Sequence, residues 1–319
     1  MPLLASALIL LATGQLAKLG PQSGHTLVYY GPKKNVLLIG GESDSAKKIW
    51  TREGEGWKIA SHNGLHRSLP AVASGFDPEV VVLFGGAFPT PIDAGNNLWT
   101  VTSETWTYDG NLWKLITKEG PAARDHHAMA YDSDRKKMVM FGGGDADPSG
   151  RALWYGDTWE FDGQAWTKKS ETGPFARAHH AMAYDPIRHQ TVLAGGFGPN
   201  GKVDPQTWVW NGESWRAATA SGPGARISPR MVFHPGLGKI ILFGGETLAN
   251  LPHDTWAWDG FKWEKIADDG PLGRTVHAMA YDPERKVIVM YGGTTTYSVD
   301  DLWEFGDEGW KRIGGPKKP

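Results

Sequence analysis

The chain has 319 residues, 40% of them apolar, a formal net charge of −2 and no cysteine. That balance supplies enough apolar side chains for a globular core but no long-range field that would draw the protein to nucleic acid or an anionic membrane surface. The missing cysteine excludes disulfides, thiolate metal sites, a cysteine nucleophile and a lipid-anchored amino terminus.

Residues 1–14 form an apolar run too short to span a bilayer, followed by a small-residue cleavage site at Ala12-Thr13-Gly14. They are read as a signal peptide, which predicts a secreted or periplasmic protein. No positive charge precedes the run, so the alternatives are a further apolar strand or helix on the domain, and a cytoplasmic location. Residues 15–319 are expected to form one domain.

After Pro21 the chain repeats itself six times, at a period of about fifty residues, the range of stacked or radially arranged sheets. The first half of each unit is clearest from His127 to Gly143. There Ala-Met-Ala-Tyr alternates as a strand, and Met-Val-Met-Phe is a second strand ending in Gly142-Gly143. Between such strands, Asp185-Pro186 and Asp282-Pro283 carry type I turn residues. Departures from the pattern are local: the first unit has no arginine before its first strand, the second has two additional residues between Arg67 and Phe76, and a later one has Pro229-Arg230 where others carry histidine. The second half of each unit holds two tryptophans seven residues apart around a turn, as in Trp159-Glu-Phe-Asp162-Gly163-Gln-Ala-Trp166. This frame uses twelve of the sixteen tryptophans. If Asp-Gly and its relatives form two-residue type I′ turns, the two indoles of each hairpin face one another.

Every unit thus offers four antiparallel strands, a to d, and no segment carries sustained helical periodicity. The predicted fold is all-β: a six-bladed propeller of four-stranded blades, closed by contact between units 1 and 6 without an exchanged strand. Glycine doublets follow an apolar strand at Gly40, Gly85, Gly142, Gly195, Gly244 and Gly292, and each leads to an aromatic, a turn and a tryptophan. This pattern resembles the kelch repeat, the type of the central domain of galactose oxidase. Galactose oxidase chemistry itself requires a tyrosine crosslinked to cysteine, and there is no cysteine.

Strand alternation puts the b–c loops and the d–a crossings at one end of the propeller. The b–c loops are longest in units 2 and 3, so this end is the expected working face. Trp99 and Trp154 lie in those loops outside the hairpin pattern, placed either to stack on a sugar or anchor a peptide, or to pack their own loops onto the body. Asp145 belongs to the same loop as Trp154. The d–a crossings carry Arg124, Arg177, Arg226 and Arg274 in Gly-Pro-x-x-Arg groups, with Arg67 in a looser copy. A ring of guanidiniums suits a carboxylate or phosphate. The resemblance implies ligand binding by arginines of this crossing, and the structural alternative is pairing with loop carbonyls or acids.

Adjacent residues on a strand point apart, so His126-His127 and His179-His180 cannot each chelate one ion. His127, His180 and His277 on different blades are read as hydrogen-bond donors between blades, and neither a metal nor a cofactor is expected. The leading functional expectation is a monomeric binding module for a protein segment or a carbohydrate or acidic ligand. The alternative is a carbohydrate-active enzyme similar to kelch-type sialic acid epimerases, with Glu42, Asp145, Asp147, Asp204 and Glu246 as candidate acids. It would be marked by a raised carboxylate or lowered histidine pKa in the central pocket. No phosphate loop, dinucleotide fingerprint or Gly-x-Ser-x-Gly elbow is present.

Overall fold

The computed structural model describes residues 19–93, 96–146, 150–219 and 221–315. The expected leader, residues 1–14, lies outside the described residues. Six four-stranded antiparallel sheets follow one another along the chain, each with its strands in order a-b-c-d. The inner strands are His25–Tyr30, Ala71–Gly75, Ala128–Asp132, Ala178–Asp185, Arg230–His234 and Ala278–Asp282. Each contacts the inner strands on either side, and the sixth returns to the first, so the blades close a ring as a β-propeller. Among the described residues no helix is long and apolar enough to cross a membrane.

Between the blades the core consists of strand-b side chains, such as Val139 and Phe141 of blade 3, packed against inner-strand residues of the next blade, such as Met182 and Tyr184. The doublet glycines let these layers approach. At Gly142, with φ +67°, a Cβ would stand 2.5 Å from the carbonyl oxygen of Arg177. That carbonyl instead accepts a hydrogen bond from Gly143 N at 2.8 Å, joining blades 3 and 4.

The c–d hairpins differ from the expected register. Trp106 faces Leu115, and Trp113 faces Tyr108; likewise Trp159 faces Lys168, and Trp166 faces Phe161. The cause is the turn's own aspartate. Asp109 Oδ1 accepts from Asn111 N at 2.8 Å and from Leu112 N at 2.9 Å, which stabilises a four-residue loop in place of a two-residue turn. Blades 1 and 6 keep two-residue turns, Gly54-Glu55 and Asp307-Glu308, but longer strands give the same offset, so Trp50 faces Ile59.

With this register the second tryptophan of each hairpin reaches the preceding blade. Trp215 packs on Phe141 with ring centres 5.4 Å apart, and Trp166 packs on Phe84 at 5.1 Å. Ring closure uses the same joint, with Trp57 of blade 1 against Tyr291 of blade 6 at 5.3 Å. Gln22 O accepts from Gly293 N there at 2.8 Å, the position that an arginine carbonyl fills at the other junctions. No strand is exchanged, because the first and last sheets are each built from consecutive strands.

Candidate functional site

The b–c loops and d–a crossings share one end of the propeller, and blades 2 and 3 carry additional hairpins there, Ala87–Asp93 with Asn96–Val101 and Gly144–Ala146 with Ala152–Trp154. Trp99 is 43% exposed, with its ring edge-on to His66 at 6.0 Å. Trp154 is half-buried against Phe197 at 5.1 Å, holding its loop to blade 4.

The crossing arginines are engaged within the protein. Arg124 binds both carboxylate oxygens of Asp157, at 2.6 and 3.1 Å, and donates to Gly142 O at 2.9 Å. Arg177 meets Asp204 at 2.8 Å, Arg226 meets Asp254 at 2.7 Å, Arg274 meets Asp301 at 2.5 Å and Arg67 meets Glu104 at 2.6 Å. The same acids accept from the first hairpin indole, as Asp157 does from Trp159 Nε1 at 2.7 Å. Burial pushes the Asp157 carboxyl upward, but the Arg124 and Trp159 donors outweigh it and hold it below the ordinary carboxylate range. Each such set clamps a d–a crossing to its b–c loop.

Of the candidate acids, Asp204 belongs to this clamp, and Glu42 accepts from Ser23 Oγ at 2.5 Å and Ser68 Oγ at 3.3 Å. Asp145 Oδ1 accepts from Ala146 N at 2.6 Å, and Glu246 is exposed, with its backbone bridged to Ile227. Asp147 lies outside the described residues.

The central cavity, about 140 Å³, opens at the same end, where the crossings turn into the inner strands. Its walls come from all six blades and include His126, His179, Ser228 and Arg230. Arg230 occupies the position that Thr26, Ala71, Ala128, Ala181 and Ala278 fill on the other inner strands. Five small side chains therefore leave room for one guanidinium. Among the described residues no carboxylate pairs with it, and its hydrogen bond runs from Nη1 to the adjacent Pro229 O at 3.3 Å. Burial alone lowers its pKa to about 10, with no acid to oppose the shift, and it remains a cation at neutral pH.

Neutral imidazoles line the channel with that charge. Burial holds His25 and His127 down to about 3, and burial first, with the Arg230 guanidinium adding to it, holds His179 to about 2. His180 and His277 are also well below their usual value, first through burial. His25, His127, His180 and His277 sit between blades, edge-on to the last strand-b aromatic of the preceding one. His25 Nε2 lies 3.1 Å from Tyr291 O, whereas both ring nitrogens of His127, His180 and His277 are buried without a hydrogen-bond partner, so the inter-blade donation expected of these three is replaced by edge-on ring packing. Among the described residues no cluster of three His, Asp or Glu could hold a metal ion.

The sequence reading did not assign Arg230, Ser228, His126 and His179 to a site. The available signal was the break in the repeat at Pro229-Arg230.

No family model matches the chain, and no curated protein matches it. The solved structure "Structure of YjhT" superposes with a TM-score of 0.68 over 92% of this chain and 98% of that one, at 15% identity. The likeness is one of fold. The six-bladed architecture is therefore shared with YjhT, while the side chains at the cavity must be interpreted from this chain's own chemistry.

Proposed function

We propose that this protein is a kelch-type β-propeller binding module whose ligand is a small anion, held by Arg230 at the mouth of the central channel. The observation that carries this reading is a half-buried guanidinium with no acid among the described residues to neutralise it. Leaving such a charge unpaired is costly, and an incoming carboxylate recovers that cost through two parallel hydrogen bonds. The five crossing arginines serve the scaffold in this reading, since each is already paired with an acid. The lowered histidine pKa expected to mark an enzyme is present in the channel, at His25 and His179, but imidazoles titrating near pH 2 to 3 are weak bases at neutral pH and do not suit proton abstraction. A leader at residues 1–14 would put the ligand in a secreted or periplasmic space.

The test is guanidinium-detected NMR on arginine-labelled protein, titrated with acidic sugars, short carboxylates and phosphate. Arg230 is expected to shift with at least one of these anions, while Arg124 and Arg177 hold still. Movement of the crossing arginines with a silent Arg230 would overturn the assignment.

Capture of a protein segment is a second reading, favoured by the 43% exposure of Trp99 on its projecting hairpin. A Trp99→Ala change would then abolish partner binding and leave anion binding intact.

A further inference from the structure

One residue where the crossing enters the inner strand is left-handed in every blade: Gly24, Leu69, His126, His179, Ser228 and Val276 have φ between 46° and 67°. Glycine adopts this conformation without strain, whereas a side chain there is unfavourable, most of all a β-branched one. One blade uses glycine. The other five place side chains that line the cavity.

These side chains divide the mouth into two arcs. Blades 3 to 5 contribute hydrogen-bonding groups, and blades 6 and 2 contribute Val276 and Leu69. On the polar arc, His179 Nδ1 lies 2.7 Å from Ser228 Oγ, and the His126 and His179 ring centres lie 3.7 Å apart with their planes tilted by 36°. His126 is fixed in turn by Asp125 Oδ1 at 2.7 Å. Ser228 stands two residues before Arg230, on the same wall.

Resting on the assignment of Arg230 as an anion anchor, we infer that the channel takes a short 2-hydroxy monocarboxylate, of the size of lactate. The carboxylate meets the Arg230 fork, the C2 hydroxyl meets Ser228, and the alkyl group lies toward Leu69, Ala71 and Val276. Size supports this, since an apolar cavity of about 150 Å³ holds benzene, a molecule of six heavy atoms, and this cavity is about 140 Å³. The hydroxyl follows from hydrogen-bond inventory. Ser228 Oγ has one proton and two lone pairs, and one of these three is engaged by His179. If His179 donates, Ser228 retains its proton and a lone pair; if His179 accepts, Ser228 retains both lone pairs. A ligand hydroxyl can donate to Ser228 in either tautomer, whereas a ketone oxygen is satisfied in only one.

Isothermal titration of the full chain with each lactate enantiomer, pyruvate, propionate and a hexuronic acid tests this directly. One lactate enantiomer is expected to bind at least about tenfold tighter than propionate or pyruvate, equivalent to about 1.4 kcal/mol. In Ser228→Gly, which relieves the backbone rather than straining it, lactate and propionate should come within about threefold, about 0.65 kcal/mol. Arg230→Met should lose all of them. Equal binding of lactate and propionate by the wild type, both lost in Arg230→Met, would overturn the hydroxyl inference and leave the anion anchor standing. Binding of the hexuronic acid alone would overturn the size argument in the same way. Absence of any anion binding would overturn the anchor as well. Melting curves for both variants verify that they are folded, so a loss of binding reports on the site.

Discussion

Trp215 of blade 4 donates from its indole Nε1 to Thr158 Oγ1 of blade 3, at 2.8 Å, across the blade interface. The same bond recurs from Trp166 to Thr105, from Trp263 to Thr207 and from Trp310 to Thr255, each at 2.8 Å. It joins the outer strand of one sheet to the start of strand c in the sheet before it. Trp215→Phe, which removes the donor and part of the ring bulk, should cost about 1–2 kcal/mol, and Trp215→Ala about 3–5 kcal/mol through the larger cavity. Chemical denaturation measures both. Equal losses would mean that the hydrogen bond dominates over packing.

The Arg177 and Asp204 pair makes a second prediction. Both groups are largely removed from water, so Arg177→Met leaves an uncompensated carboxylate and should destabilise the fold by about 3–5 kcal/mol. The double change Arg177→Met with Asp204→Leu should recover most of that. A double variant as unstable as the single one would show that the guanidinium's bond to Gly195 O, at 3.1 Å, matters more than the ion pair.

Stability should fall early in acid. His25 and His127 titrate near 3 and His179 near 2 in the folded chain, against 6.5 when free, so the unfolded chain takes up protons first. Their contribution is complete above pH 6.5 and is lost as pH falls toward 3, at about 1.4 kcal/mol per pH unit for each buried histidine. The clamp acids Asp157, Asp204, Asp254 and Asp301 are depressed below 3.8, so they add a loss only in stronger acid. The melting temperature should therefore drop between pH 6.5 and 5, and His127→Leu should flatten that slope by one proton. A melting temperature unchanged from pH 7 to 5 would contradict neutral burial of the histidines.

Strain at the mouth is measurable too. Val276 has φ 46°, a conformation that costs a β-branched residue about 1–2 kcal/mol. Val276→Gly should be stabilising by about 0.5–1 kcal/mol after the glycine's entropy cost. At an ordinary strand position the same change destabilises, so the sign alone is informative.

The propeller was legible because each unit repeats its strand alternation, glycine doublet and tryptophan frame, and no single element had to be identified alone. The hairpin register was misplaced because a side chain decides it: Asp109, Asp162, Asn211 and Asp259 cap their own turns and lengthen them. The engagement of the crossing arginines had a signal in the sequence. An acid stands two residues before the first hairpin tryptophan at Glu104-Thr105-Trp106, and likewise at Asp157, Asp254 and Asp301, while Asp204 stands four residues before Trp208. Repetition marked what serves the scaffold, and among the local breaks in the repeat the one at Pro229-Arg230 carried a cation that no carboxylate among the described residues pairs with. Which side chains converge in the channel depends on the ring's geometry, and that is not written in any one repeat.

The central claim concerns Arg230, and calorimetric titration of wild type against Arg230→Met with a panel of small carboxylates tests it most directly. Saturable binding by the wild type, lost in Arg230→Met while the melting temperature is kept or raised, is the predicted result. Binding that survives in Arg230→Met, or that disappears instead when Arg177 is replaced, would contradict it.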